Sequence, residues 1–85
     1  MNYEEITSYI NNKISQNANF VVFPYFEVMV KLNRSENNLD DFLLTSRDIL
    51  ESLNYNVYFT GAKYCYNNEI TIVTDNELLV AIKDN

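Results

Sequence analysis

Cys65 is the one thiol in a chain of 85 residues that contains no histidine. A thiolate nucleophile needs a neighbouring base or cation to lower its pKa, and no Lys or Arg stands beside Cys65 in the sequence. Position 65 falls within an extended segment, so it reads as a buried, inert thiol. Serine and threonine hydroxyls lack a histidine base in the same way. One cysteine and no histidine exclude an intrachain disulfide and any His-based metal site. Phosphate-cradling loops need several glycines so that backbone N–H groups can close on the ligand, and Gly61 is the only glycine.

Carboxylates are the remaining source of chemistry. Asp40 and Asp41 are neighbours on a helical segment and diverge by about 100° around its axis, so they do not face one ion. Asp75 and Glu77 flank a tight turn without the Asp/Asn/Gly spacing of a calcium loop. Glu27 and Lys31 share a face if their segment is a strand. At about 3.3 Å per residue they are then about 13 Å apart, too far to share a metal. The expectation is a chain that is not an enzyme and carries no cofactor and no metal.

Two surfaces are left as candidates for binding. On the polar side of segment 39–53, projected at about 100° per residue, Asp40, Arg47, Asp48 and Glu51 surround Leu44. An apolar anchor with a charged rim suits a protein interface. Asp40, Leu44, Asp48 and Glu51 are therefore the expected partner-binding residues. The second surface lies in the C-terminal half. With two-residue turns, Cys65, Ile70, Ile72, Leu79 and Ala81 share one sheet face, and Tyr64, Tyr66, Val73, Leu78, Val80 and Ile82 the other. Neither face is properly polar, although a sheet covered on one side only should alternate more cleanly. Either the register differs by one residue, or a helix, a second subunit or a partner covers the second face. Tyr64 and Tyr66 form a secondary candidate surface there. Such a pair can stack on bases, but only Lys63 is near it, and cross-strand packing is the better account.

These residues depend on the elements that carry them. Tyr3 to Gln16 reads as a helix, because Tyr3, Ile6, Ile10 and Ile14 recur at i, i+3, i+7 and i+11. Asn2 caps it, Glu5 completes a capping box, and Asn17 and Asn19 end it. Phe20 to Asn33 reads as a long strand. From Phe26 onward the segment alternates, with Phe26, Val28, Val30 and Leu32 on one side and Tyr25, Glu27, Met29 and Lys31 on the other. Pro24 cannot donate to a ladder and marks a bulge, an edge position or the true strand start. Residues 33–38 make a polar turn, and Asn38 can cap a second helix from Leu39 to Leu53. Asp40 and Asp41 sit in its first turn, where they complement the macrodipole. Its apolar stripe is Leu39, Phe42, Leu43, Ile49, Leu50 and Leu53, and Asn54 is a fair left-handed terminator.

The remainder reads as a meander through Tyr55–Phe59, Ala62–Tyr66, Ile70–Thr74 and Glu77–Lys83, with a bulge at Gly61 and turns at Asn67-Asn68 and Asp75-Asn76. The order α-β-α-β-β-β predicts an α+β fold, a mostly antiparallel four-stranded sheet packed with two helices. The strand–helix–strand unit could place one parallel pair inside it. Ile6, Ile10, Phe26, Val28, Val30, Phe42, Ile49, Leu53 and Ile72 are expected to be largely buried.

Length and composition bound the rest. The chain reads as a single domain over residues 1–85. Its 47% hydrophobic and 14% aromatic content exclude a disordered chain. A net charge of -6 disfavours direct nucleic-acid binding and favours basic protein surfaces. The apolar runs Phe20–Phe23 and Leu78–Ile82 are too short to span a bilayer, so no membrane is expected. Glu4 and Glu5 come early, with no apolar stretch, which argues against a signal peptide. A lone cysteine suits a reducing compartment, and the expected location is cytoplasmic. Prominent Asn, Ile, Tyr and Lys have AT-rich codons and point to an AT-rich genome, its phages or its plasmids.

The expected function is a small acidic, non-catalytic protein-binding module. It would be of the inhibitor or accessory type that a phage or mobile element carries, an anti-defence protein for instance, acting on a basic, nucleic-acid-handling protein. The alternative is a homo-oligomeric structural or regulatory domain, a homodimer in the simplest case, that buries its second apolar sheet face against itself.

Overall fold

The computed structural model describes residues 2–32, 39–60, 62–64, 70–72 and 77–84, with 62–64 and 70–72 described by their backbone. The elements run α1 (Tyr3–Gln16), β1 (Phe20–Pro24), α2 (Tyr25–Lys31), α3 (Leu39–Ser52), β2 (Tyr55–Tyr58), β3 (Ala62–Tyr64), β4 (Ile70–Ile72) and β5 (Glu77–Lys83). The fold is α+β, with a three-stranded antiparallel sheet in the order β1-β5-β2. Strands β3 and β4 pair with each other in a separate antiparallel ladder. The expected single four-stranded sheet with two helices is corrected on both counts. The described residues hold a third helix, and the meander is divided.

The first helix forms as its ends dictate. The Asn2 side chain accepts the Glu5 N–H at 2.9 Å, and the Glu5 carboxylate accepts the Asn2 N–H at 3.3 Å. These two bonds satisfy orphan donors reciprocally. Asn17 is the C-cap. The buried face is Ile6, Tyr9 and Ile10.

The extra helix is α2, where a strand was expected. Alternation and helical spacing coincide over so short a run. The helix buries Val28, Met29 and Leu32 and packs Tyr25 against the core, a spacing of i, i+3, i+4 and i+7. The strand reading put Phe26 and Val30 in the core; they are 71% and 62% exposed instead. Pro24 is the N-cap of α2, with φ -68° and ψ 142°. It also ends β1, an edge strand, and the β1–β5 register shifts between Phe23 and Pro24. An edge or bulge tolerates a residue without an N–H.

Helix α3 buries Leu39, Phe42, Leu43, Ser46 and Leu50. Ile49 is only partly buried, and Leu53, beyond the helix end at Ser52, is exposed; both were expected inside. Asn54 has φ 70°, the left-handed conformation expected of a terminator. The last turn of α3 has no basic residue of its own. Lys83 of β5 reaches across, and its Nζ donates to the Leu53 carbonyl at 2.7 Å. A cation there meets both an orphan acceptor and the negative end of the helix.

The apolar run Leu78–Ile82 becomes the central strand, as suits a segment with little polar alternation. Both β1 and β2 are antiparallel to β5, so they run parallel to each other with β5 between them rather than as neighbours. Cross-strand rows set the faces. Val21, Ala81 and Val57 form one inward row, and Phe23 and Leu79 another. Leu78 has no partner in β1, and both Leu78 and Leu79 are fully buried, as at a bulge. Leu78 therefore leaves the second face, where alternation had placed it.

The buried side chains form one cluster. Its centre is aromatic: Tyr9 of α1 lies 5.0 Å from Phe23 of β1 and 5.9 Å from Phe42 of α3, ring centre to ring centre, with Phe23 and Phe42 5.7 Å apart. Among the described residues no helix is long and apolar enough to cross a membrane. Residues 33–38 with the Asn38 cap, Gly61, Cys65, Tyr66, Val73, Thr74 and the turns Asn67-Asn68 and Asp75-Asn76 lie outside the described residues. So do the side chains of Tyr64 and Ile72.

Candidate interaction surfaces

On α3 the expected partner-binding residues divide. Asp48 and Glu51 are exposed, whereas Asp40 and Leu44 are half-buried. Leu44 is thus not the outward anchor that the helical projection implied. Arg47 lies 3.5 Å from Asp48 and 3.6 Å from Glu51, so one guanidinium offsets both carboxylates. Such exposed pairs contribute only tenths of a kcal/mol, but they lower the charge a partner would meet. Of the secondary surface, Tyr64 lies on β3 and Tyr66 is outside the described residues.

A second surface is the outer face of the three-stranded sheet. Phe20, Ile82 and Asn56 form one row across it, and Val22, Val80 and Tyr58 the next. Phe20 is 45% exposed, Ile82 43% and Tyr58 52%, while Val22 and Val80 are half-buried. No side chain in either row is charged. Val80 and Ile82 were expected on an apolar second face. The residues beside them come from β1 and β2, not from the segments around Tyr64 and Tyr66.

The third surface is a groove between α1 and α2, of about 740 Å³, lined by Asn2, Glu4, Glu5, Ser8, Tyr9, Asn12, Glu27 and Lys31. Glu4, Glu5 and Glu27 stand in it with Lys31, and the Glu5 carboxylate is engaged in the α1 cap. Lys13 of α1 donates to Glu27 of α2 at 2.8 Å and ties the two helices together. Burial, the largest single influence, pushes the Glu27 carboxyl up. The hydrogen bond from Lys13, the nearby Tyr9 hydroxyl and the charges of Lys13 and Lys31 outweigh it and hold Glu27 below its ordinary value. Glu4 takes part in no ion pair among the described residues.

Tyr9 is the unusual member of this groove. It is 5% exposed, and its ring is flanked by Lys13 Nζ at 5.6 Å and Lys31 Nζ at 5.5 Å from the centroid. Burial first, then the Glu27 carboxylate, pushes the phenol up, so the hydroxyl keeps its proton. Glu27 is near enough to act on it, yet no group stands in hydrogen-bonding geometry with the hydroxyl. A buried donor without an acceptor is costly and calls for a cause. The i, i+3, i+4 spacing of Ile6, Tyr9 and Ile10 could have flagged Tyr9 as a core residue with a polar end to satisfy.

Chemically, the groove can hold cations and hydrogen-bonding groups. Among the described residues no three Asp, Glu, Cys or His side chains converge on a metal position. Compared with protein-family profiles, curated proteins and solved structures, the chain matches none.

Proposed function

We propose that this chain is a small acidic, non-catalytic protein-binding module that receives a basic segment of a partner protein in the α1–α2 groove. The observation that carries the reading is the lining: Glu4, Glu5 and Glu27 stand on one groove with Lys31, and Lys13 engages Glu27 alone among them. Lys or Arg side chains of a partner meet these carboxylates by salt-sensitive attraction. Glu4, which has no ion pair among the described residues, can take such a charge. Nucleic-acid-handling proteins present basic surfaces, and carboxylates can occupy the place of phosphates on them. An inhibitor or accessory protein of a phage or mobile element would act in this way.

The test is a titration of the full chain with hexa-arginine, followed by NMR, at about 20 mM and again at about 300 mM salt. Resonances of Glu4, Tyr9, Glu27 and Lys31 should move, the affinity should fall with salt, and Glu4→Lys should weaken it by about fivefold or more. Shifts confined to other residues, or an affinity indifferent to Glu4→Lys, would overturn the reading. The exposure of Asp48 and Glu51 favours a second reading, in which the α3 face around Asp40 and Leu44 is the contact. In that case Asp48→Lys with Glu51→Lys, and not Glu4→Lys, would abolish the binding.

A further inference from the structure

We infer that the segment received by the α1–α2 groove is amphipathic, with a Lys or Arg side chain at Glu4 and, further along, an apolar side chain on Phe26 and Val30 at the α2 rim. This rests on the reading of the groove as the receptor of a basic segment, and it adds what that segment carries besides charge. Glu27 and Lys31 line the groove from α2, and each directly follows an exposed apolar residue, Phe26 and Val30. Phe26 is more exposed than any other large apolar side chain among the described residues. Four positions apart, Phe26 and Val30 are neighbours on one helix face. Phe26 meets Tyr25 edge-on at 5.7 Å between ring centres, and Tyr25 packs on the core. The rim is thus held in place before a partner arrives, which lowers the cost of binding there.

The two helices fix the order and spacing of the contacts. Glu27 pairs with Lys13; one turn later on α2, Lys31 lies over the ring of Tyr9, one turn earlier on α1. The helices therefore run antiparallel along the groove, and Glu4 lies beyond Tyr9, at the end away from Phe26. At about 1.5 Å per residue, Glu4 is about 9 Å along the groove from Val30 and about 15 Å from Phe26. An extended segment rises about 3.3 Å per residue and covers these spans in about three to five residues.

Charge selects the occupant. A second copy of this chain, with a net charge of -6, would bring carboxylates toward Glu4. A wholly apolar segment would leave Glu4 without a counter-charge, and a wholly basic one would leave Phe26 and Val30 in water. A segment with a basic and an apolar part at this spacing meets both.

Two end-blocked peptides, each titrated into the full chain and followed by NMR, test this: Arg-Arg-Arg-Gly-Gly-Leu-Leu, and the same peptide with both leucines replaced by serine. The leucine peptide should bind about fivefold tighter, as part-burial of an apolar side chain implies. It should add shifts at Phe26 and Val30 to those at Glu4. Higher salt should weaken both peptides and preserve their ratio. Phe26→Ser with Val30→Ser should bring the leucine peptide down to the affinity of the serine peptide. Both side chains are exposed, so the variant keeps its core. Equal binding of the two peptides at Glu4 would overturn the inference and leave the groove reading standing, whereas no binding of either would overturn both. A leucine advantage that survives in the double-serine variant would place the apolar contact elsewhere and overturn it. Shifts at Phe26 and Val30 on dilution of the chain alone would show a second copy on the rim, with the same consequence.

Discussion

Along the α1–α2 groove the accessible groups are carboxylates, amides and an ammonium; across the outer face of the sheet they are aromatic and branched aliphatic side chains. The two surfaces differ in what they can recognise. The groove offers charge, which gives specificity and salt-sensitive attraction. The sheet face offers apolar area without charge, which attracts without direction. Yet they share one support. Tyr9, which lines the groove, packs on Phe23, and Phe23 lies one residue from Val22 on the face. The groove and the sheet face are thus linked through the contact of Tyr9 with Phe23.

The largest expected effect tests the shared support. Phe42 is buried and touches both Tyr9 and Phe23. Phe42→Ala should cost about 3–5 kcal/mol in urea unfolding, because a cavity opens under both surfaces. A loss below about 1 kcal/mol would mean that the groove and the sheet face do not rest on this aromatic centre.

A smaller effect sharpens the groove side. Glu27 is held below its ordinary value near 4.5. A carboxylate whose folded pKa is depressed adds stability above its unfolded pKa and loses it as pH falls through the folded value. Glu27→Gln should therefore be less stable than wild type at pH 7 by up to about 1 kcal/mol, the pair being partly exposed. That gap should close as the pH drops below about 4.5. A gap that persists at pH 3 in thermal melts would show that Glu27 acts through packing and not through its charge.

The smallest effect concerns the unmet hydrogen bond. Tyr9→Phe removes a buried hydroxyl that has no partner in hydrogen-bonding geometry. Stability should change by less than about 1 kcal/mol, since the desolvation cost that disappears is offset by the loss of the hydroxyl's hold on Glu27. A clear loss of stability would mean that the hydroxyl is satisfied in the folded chain, and the groove would then differ from the sheet face by charge alone.

Several features needed only local chemistry and were legible from the residues. Asn2 and Glu5 three positions apart specify a capping box, and the box forms. The bounds Tyr3–Gln16 and Glu77–Lys83 follow from period and punctuation. Asn54 takes a positive φ where a terminator was expected, and Pro24 sits at an edge beside a register shift. Of the expected core, Ile6, Ile10, Val28 and Phe42 are buried. Phe26, Val30 and Leu53 are not, and their errors have two sources. Seven residues from Tyr25 to Lys31 satisfy a strand period and a helix period together. Leu53 lies past the last helical turn, where the stripe no longer points inward.

By itself the sequence determined that these 85 residues hold no histidine and no intrachain disulfide, the acidic balance, the α+β class and the two long helices, because each depends on residue types or on neighbours within a few positions. Only the tertiary structure decided that Tyr25–Lys31 coils, that β5 lies between β1 and β2, and that Phe20 and Tyr58 join Ile82 on one open face. It also placed Tyr9 of α1 beside Glu27 of α2 at the groove. These outcomes rest on contacts between residues far apart in the chain. Strand pairing and helix packing choose among locally equivalent conformations by the apolar surface they bury, and that surface exists only once distant segments have met.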